Sequence, residues 1–129
     1  DKAAIGRDLD RMYAMFPQLA DRRRQLAGSM SGGEQQMCAM ARALMAAPVL
    51  MMIDEMSLGL APVIVEQLVE VLAAIRNDGV TVLLVEQDVQ IALSCVDRGY
   101  VVETGRIVHS GAAKDLIDDP AVRQAYLGV

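Results

Sequence analysis

Three kinds of residue or segment are scarce in this chain, and each scarcity excludes a class of structure. Aromatic residues make up 3% of its 129 residues, with no Trp, so the core must be built from aliphatic side chains and methionine. The formal net charge is −5, whereas a nucleic-acid-binding surface is expected to carry a basic excess. No apolar run approaches the roughly 18 residues that a membrane-spanning helix needs. The composition therefore predicts one soluble domain without a nucleic-acid partner.

Cysteine is also rare. Cys38 and Cys95 are far apart and belong to no C-x-x-C or Cys/His spacing. We expect both to be small buried apolar residues in a reducing compartment, not a disulfide or a metal pair.

The most informative stretch that is present begins at residues 30–36, Met-Ser-Gly-Gly-Glu-Gln-Gln. Ser31 is a preferred residue for capping a helix, and a helix is predicted from Gly33 to Ala47, ended by Pro48. Its apolar stripe favours packing in the core over ligand binding. Because the first backbone N–H groups and the helix dipole face whatever lies at the helix start, this stretch predicts an anion-binding site.

A strand–helix–strand unit follows that site. Val49–Ile53 and Val80–Val85 read as parallel strands, and the unbroken apolar character of Val49–Ile53 predicts burial on both faces. A helix from Pro62 to about Asn77 connects them. The first strand ends in Asp54-Glu55, at the sheet edge where α/β proteins bind ligands. This acid pair suits magnesium–nucleotide chemistry, in which one carboxylate serves the ion and the other polarises the attacking water.

The two ends of the chain carry weaker signals. A helix over Arg7–Met15 is predicted to stop at Pro17. Residues 21–24, Asp-Arg-Arg-Arg, are either a solvated helix face or a contact surface for an acidic partner. Thr104-Gly105 lies between two alternating runs and predicts a hairpin. The later elements are predicted in this order: Val89–Cys95 as a helix, Tyr100–Glu103 and Arg106–His109 as the hairpin strands, then short helices over Ala112–Ile117 and Ala121–Tyr126.

Together these motifs resemble the nucleotide-binding subunits of ABC transporters. Residues 30–34 are similar to the family's signature motif, and Val49–Glu55 is similar to its Walker B strand. Ser57–Ala61 lies where the family has its D-loop. The importers of branched-chain amino acids are the subgroup most similar over Ser57–Pro62, Val85–Gln87 and Gly99–Gly111.

The resemblance implies nucleotide-binding roles for residues of the signature motif and of the D-loop. Ser31, Gly32 and Gly33 would contact the γ-phosphate of ATP held by the opposite subunit. Glu34 belongs to the same motif, in a position where many members have Gln. From the D-loop, Ser57 and Gly59 would also bind the cofactor.

Catalytic roles are implied at the sheet edge. Asp54 would serve Mg²⁺, and Glu55 would act as the catalytic base. Gln87, where the family usually has its switch histidine, would sense the γ-phosphate. Unlike His, Gln87 can donate a hydrogen bond but cannot take up a proton near neutral pH. Met56 replaces the family's usual Pro, which is expected to loosen the turn that aims Glu55.

The implied fold is α/β, a partial P-loop NTPase fold with parallel strands, flanking helices and a C-terminal hairpin. Residues 1–47 would be part of the helical subdomain, and residues 48–129 the C-terminal half of the ATPase core. The chain contains no G-x-x-x-x-G-K-[ST] loop and begins with Asp1, so we expect it to be the carboxyl-terminal half of a subunit, inactive alone. In the family the phosphate-loop strand lies between Val80–Val85 and Tyr100–Glu103. Its absence predicts an apolar gap and exposed strand edges, and we expect the chain either to close the gap itself or to pair with another copy.

The resemblance implies that the whole subunit would couple hydrolysis of ATP with Mg²⁺ to the import of branched-chain amino acids. Its partners would be a second ATPase subunit and transmembrane permease subunits, at the cytoplasmic face of the cell membrane. Two alternatives stay open. One is a non-catalytic docking or regulatory module that keeps the signature surface. The other is a lobe of a DNA-repair ATPase, which would carry a long heptad coiled coil and a less acidic balance.

Overall fold

The computed structural model describes residues 1–127, which form an α/β structure of helices and two small sheets. The elements are α1 (Lys2–Met15), α2 (Pro17–Asp21), α3 (Gly32–Leu44), β1 (Leu50–Asp54), α4 (Pro62–Asn77), β2 (Thr81–Val85), α5 (Val89–Cys95), β3 (Arg98–Glu103), β4 (Arg106–Ala112), α6 (Ala113–Asp118) and α7 (Pro120–Val122). A 3₁₀ turn at Ala27–Ser29 precedes α3, and a π-helical turn at Arg123–Leu127 follows α7.

Two compact units divide the chain. The first holds residues 1–52 and 56–83, and the second holds residues 53–55 together with the chain from residue 84 onward. These units are defined by how compactly the residues pack. The division at residue 47 that the sequence suggests separates two functional parts, the helical subdomain and the ATPase core, and it stays a prediction.

The helices of the first unit follow the apolar periodicity of the sequence. In α4 the buried positions are Val65, Leu68, Leu72 and Ile75, which recur every three or four residues along one face. In α3 the methionine stripe is buried at Met37 and Met40, as expected for core residues, together with Ala41.

Two helix boundaries differ from the predicted ones. Helix α3 ends at Leu44, three residues before Ala47, whose φ of +48° lies in the left-handed region and is incompatible with a continuing helix. Helix α1 begins at Lys2, five residues before Arg7, because the Asp1 carboxylate caps it by accepting a hydrogen bond from the Ala3 N–H. Pro17 ends α1 as predicted and also occupies the first turn of α2.

Strands β1 and β2 pair in parallel, as predicted. The Thr81 N–H donates to the Val49 carbonyl at the start of the ladder (3.0 Å), and the Glu55 N–H donates to the Val85 carbonyl at its end (2.8 Å). One bond joins the starts of the two strands and the other joins their ends, so the strands run in the same direction.

The expectation that β1 is buried on both faces is wrong. Met51 and Ile53 are 6% exposed, whereas Leu50 and Met52 are 48% and 73% exposed. The register of the ladder places Leu83 of β2 on the same outer face, where it is also exposed. One face of this sheet is therefore an uncovered apolar surface.

The second unit is built on the antiparallel hairpin of β3 and β4. Thr104 and Gly105 both have positive φ angles, +48° and +75°, as the two central residues of a tight type I′ turn require. Behind the hairpin lies a small core of α5, α6 and α7 side chains, whose buried members are Leu93, Ala113, Leu116 and Val122.

The remaining compositional expectations concern single residues and long helices. Cys95 is buried and Cys38 is half-buried, and within residues 1–127 neither forms a disulfide. Across residues 1–127, no helix combines the length and the apolar character needed to cross a bilayer.

Candidate functional site

The start of α3 is closed by a reciprocal pair of hydrogen bonds between Ser31 and Glu34. The Ser31 hydroxyl oxygen accepts from the Glu34 N–H at 3.3 Å, and the Glu34 carboxylate accepts from the Ser31 N–H at 3.0 Å. This capping box satisfies two of the backbone donors that a helix start leaves without partners. It also fixes the angle at which the preceding loop enters the helix.

That loop is held by side chains from both directions. Gln35 Nε2 donates to the carbonyl oxygens of Ala27 and Met30, both at 3.2 Å. Arg22 Nε lies 2.9 Å from the second carboxylate oxygen of Glu34, Oε1. The approach to the helix is therefore fixed before any ligand arrives.

Three donors remain at this helix start for a ligand. The Gly32 and Gly33 N–H groups lie in the first turn, where no carbonyl of the helix can reach them. The hydroxyl of Ser31 uses its oxygen as an acceptor, which leaves its proton available for donation. Two amides, one hydroxyl and the positive end of a helix dipole form a suitable binding site for a phosphate oxygen.

The second glycine of the motif is required by close packing. A Cβ at Gly33 would lie 2.5 Å from Cγ2 of Ile64 in the first turn of α4, closer than real Cβ atoms approach other atoms. At Gly32 the nearest contact would be Leu60 at 3.4 Å. The start of α3 is therefore pressed against the segment that leads into α4.

That segment contains the remaining two cofactor-binding residues predicted from the sequence. Ser57 is half-buried and engaged in an interaction of its own. Gly59 has a φ of +73°, a conformation that a side chain would disfavour. Both lie in the loop between β1 and α4, in the same compact unit as the start of α3.

In the second unit, the acid pair lies where β1 ends. Asp54 is the exposed last residue of the strand, and Glu55 follows with a φ of +50°. Holding a non-glycine residue in this left-handed region costs roughly 1–3 kcal/mol, and such conformations cluster at functional sites. The next residue, Met56, is 1% exposed, so its side chain is buried directly after Glu55. The loosening of this turn by Met56 stays a prediction.

Glu55 and Gln87 meet at this edge. Gln87 Nε2 donates to Glu55 Oε1 over 2.5 Å. Glu55 directly follows β1, and Gln87 lies two residues past the end of the paired strand β2. The bond occupies one oxygen of the Glu55 carboxylate and one proton of the Gln87 amide. The other oxygen and the other proton can serve a water molecule and a ligand.

No set of three or more His, Cys, Asp or Glu side chains within residues 1–127 is arranged to hold a metal ion. Mg²⁺ does not need such a cage, because it keeps several waters and binds one or two carboxylates together with substrate phosphates. Exposed Asp54 fits that mode of binding. A neighbouring acid at the same edge has a different role, since Asp88 caps α5 by accepting from the Ile91 N–H at 3.0 Å.

The predicted site residues therefore form two groups. Ser31 to Glu34 lie with Ser57 and Gly59 in the first unit, and Asp54, Glu55 and Gln87 lie in the second. Sequence reasoning missed one residue, Arg22, whose ion pair with Glu34 joins the charged stretch at residues 21–24 to the start of α3. Neither of the two interpretations of that stretch, a solvated face or a surface for an acidic partner, includes this contact.

Comparison with known proteins agrees with this geometry. The family model described as "ABC transporter" matches residues 4–57. Over its whole length the chain is similar to ATP-binding proteins of ABC transporters.

Two relatives are similar over the whole chain. The high-affinity branched-chain amino acid transport ATP-binding protein BraG of Pseudomonas aeruginosa is 50% identical over 128 residues, 99% of this chain. The probable branched-chain amino acid transport ATP-binding protein LivF of Archaeoglobus fulgidus is 35% identical over 130 residues. The chain spans 55% of the length of each relative.

Solved structures share the fold. A nucleotide-free ATP-binding cassette from an ABC transporter superposes with a TM-score of 0.79 at 25% identity, covering 92% of this chain and 48% of that one. An ATP-binding subunit of an ABC transporter superposes with a TM-score of 0.75 at 26% identity, covering 99% and 53%. The α/β fold is therefore that of an ABC ATPase, of which this chain forms about half.

Proposed function

We propose that this chain is part of an ATP-hydrolysing subunit that powers an ABC importer of branched-chain amino acids. The observation that carries the proposal is the pairing of Glu55 with Gln87 directly after Asp54, at the carboxyl end of a parallel strand. The names of both whole-chain relatives, BraG and LivF, support the class of solute.

Each of the three catalytic residues in the second unit would have a separate role in ATP hydrolysis. Glu55 would accept a proton from the attacking water through the carboxylate oxygen that Gln87 does not occupy. Gln87 would orient that carboxylate and donate its second amide proton to a γ-phosphate oxygen. Asp54 would hold Mg²⁺, which supplies charge neutralisation for the phosphates when bound. Because Gln87 does not titrate near neutral pH, its role would be orientation and not proton transfer.

The groups of the first unit would bind the nucleotide of an opposite subunit. Gly32 and Gly33 would donate backbone N–H bonds to the γ-phosphate, with the Ser31 hydroxyl as a third donor. Ser57 and Gly59 would contribute from the loop before α4. This assignment requires a second ATPase subunit, and coupling to transport requires transmembrane permease subunits. It places the protein at the cytoplasmic face of the membrane.

Calorimetry on this chain, alone and joined to the part of BraG that it does not match, tests the proposal. We expect no tight binding of ATP or Mg-ATP by the chain alone, whose helix start by itself should bind a phosphate group only weakly, and both tight binding and hydrolysis by the joined protein. Tight binding by the chain alone would contradict the expected need for a phosphate loop from elsewhere. Absence of binding by a folded joined protein would favour a non-catalytic docking module instead.

The uncovered face of the β1–β2 sheet supports the further prediction that this chain self-associates. Leu50, Met52 and Leu83, all in the first unit, present an apolar surface that would gain from burial. Sedimentation analysis over a range of concentrations should therefore show dimers or larger species. A monomer at all concentrations, with Leu83→Lys behaving like the unmodified chain, would rule out association through this face.

A further inference from the structure

Glu34 creates an electrostatic conflict at the start of α3. A carboxylate in the first turn stabilises a helix because it faces the positive end of the dipole. The same carboxylate repels an anion that approaches the N–H groups of Gly32 and Gly33, because these two residues lie in the same helical turn as Glu34. A neutral side chain at this position would not have this disadvantage.

The structure supplies a compensating charge from outside the helix. Arg22 Nε lies 2.9 Å from Glu34 Oε1, while Glu34 Oε2 accepts the Ser31 N–H at 3.0 Å. Both carboxylate oxygens therefore have donors. The Glu34 side chain is 18% exposed and the Arg22 side chain 39% exposed, so solvent screens the pair in part from the arginine side.

Arg22 holds this position because of the fold around it. It is the C-terminal cap residue of α2, and its N–H donates to the carbonyl of Leu19, whose side chain is buried. Helix α2 in turn packs against α3. The neighbouring Arg24 is exposed and, within residues 1–127, forms no ion pair with Glu34.

We propose that Arg22 is a positioning and charge-compensating residue of the signature motif, which neutralises Glu34 so that the start of α3 accepts a phosphate group. This rests on the proposed function, which assigns the γ-phosphate to this helix start. Arg22 acts through Glu34 and does not itself need to touch the nucleotide. Replacing Glu34 with the neutral Gln should therefore remove the need for Arg22.

Inorganic pyrophosphate is a simple probe for this inference, because it presents phosphate oxygens without a base or sugar. The amide NMR signals of Gly32 and Gly33 are followed during titration of this chain at low salt. We expect Arg22→Ala to raise the apparent Kd about three- to tenfold. Arg22→Lys should remain within about twofold of the unmodified chain. Glu34→Gln should bind pyrophosphate more tightly, because the repelling carboxylate is removed while Arg22 stays. The double variant Arg22→Ala/Glu34→Gln should regain the affinity that Arg22→Ala loses.

Arg24→Ala is the matched control, since it removes an equal charge from the same stretch without touching Glu34, and its Kd should also change less than twofold. Circular dichroism of each variant verifies that it is folded. A double variant as weak as Arg22→Ala would overturn the inference, because it would mean that Arg22 contacts the anion or only supports the structure. An unchanged Kd in Arg22→Ala would overturn it equally.

The outcome for the unmodified chain separates this inference from the proposed function. If the folded chain gives no saturable shift at Gly32 and Gly33, the phosphate-binding role of the helix start fails, and the inference fails with it. If the unmodified chain binds but Glu34→Gln does not rescue Arg22→Ala, only the inference fails.

Discussion

The start of α3 and the end of β1 both present polar groups to a ligand, but different interactions hold them in place. At the start of α3 the capping box joins Ser31 to Glu34, three residues apart, and Gln35 binds carbonyls up to eight residues away. At the end of β1 the partner of Glu55 is Gln87, thirty-two residues further along the chain. The first arrangement is encoded locally, and the second depends on the pairing of two strands.

Because of this difference, we expect substitutions at the two sites to affect different properties of the protein. The helix start contributes to the stability of the fold, since its hydrogen bonds also cap α3 and Gly33 contacts Ile64. The exposed Asp54 and Gln87 contribute little to packing, and Glu55 holds a strained backbone conformation. We therefore expect substitutions at the helix start to affect stability, and substitutions at the strand end to affect chemistry.

Glu55→Gln should give the largest effect and should act on chemistry alone. In the chain joined to the unmatched part of BraG, we expect kcat for ATP hydrolysis to fall about 10²- to 10⁴-fold, because the general base is removed. The Kd for ATP should change only a few-fold. Glu66→Gln on the exposed side of α4 is the control and should leave kcat within about twofold. Equal losses in both variants would contradict the assignment of Glu55.

Gly33→Ala should give the largest loss of stability at the helix start. The added Cβ would meet Ile64 Cγ2 at 2.5 Å, and such overpacking costs roughly 1–3 kcal/mol. Gly32→Ala is a closely matched control, because its nearest contact of 3.4 Å leaves room after a small adjustment. Urea denaturation of the two variants should differ by at least 1 kcal/mol, roughly the lower end of that range. Indistinguishable midpoints would show that the approach of α3 to Ile64 is looser than described.

Ser31 allows capping and ligand binding to be separated. Ser31→Ala removes the cap and should destabilise the chain by about 1 kcal/mol. Ser31→Asp should retain the cap and stay within about 0.5 kcal/mol of the unmodified chain, since Asp caps as well as Ser does. Its added carboxylate should nevertheless weaken pyrophosphate binding, as followed by the amide signals. Unweakened binding in Ser31→Asp would mean that the anion does not approach this residue.

The smallest effect is expected at Gln87. Its hydrogen bond to Glu55 lies in an exposed position, so Gln87→Ala should change the free energy of unfolding by less than about 0.5 kcal/mol. Leu93→Ala in the core of the same unit provides the scale, with an expected loss of about 2–5 kcal/mol. A loss above 1 kcal/mol in Gln87→Ala, roughly twice the usual range for such sites, would show that the strand end also stabilises the fold.

Most of the fold could be predicted from the sequence because its signals are local. The bounds of α4 and α5 agree with the prediction residue by residue, since Pro62 and Asp88 mark helix starts and the apolar stripe is regular. The hairpin turn at Thr104-Gly105 was predicted for the same reason. The roles of the site residues in nucleotide binding and hydrolysis stay predictions.

What could not be predicted depends on contacts between distant segments. The ion pair of Arg22 with Glu34 exists because α2 packs against α3, and nothing in residues 21–24 indicates which arginine points at the helix start. The left-handed conformation of Glu55 likewise has no local signal. The exposure of Met52 depends on what covers the sheet, whereas an apolar strand reads the same whether or not it is covered.

The uncovered sheet face also determines how this chain behaves as a solute. Its net charge of −5 at pH 7 provides the repulsion that opposes contact between the apolar faces of two molecules. The isoelectric point is about 4.7, so mild acidification removes that repulsion while the apolar face stays unchanged. Salting-out ions such as sulfate act in the same direction by strengthening apolar burial. Solubility should therefore be greatest in mildly alkaline buffers of modest ionic strength and should fall steeply towards pH 5.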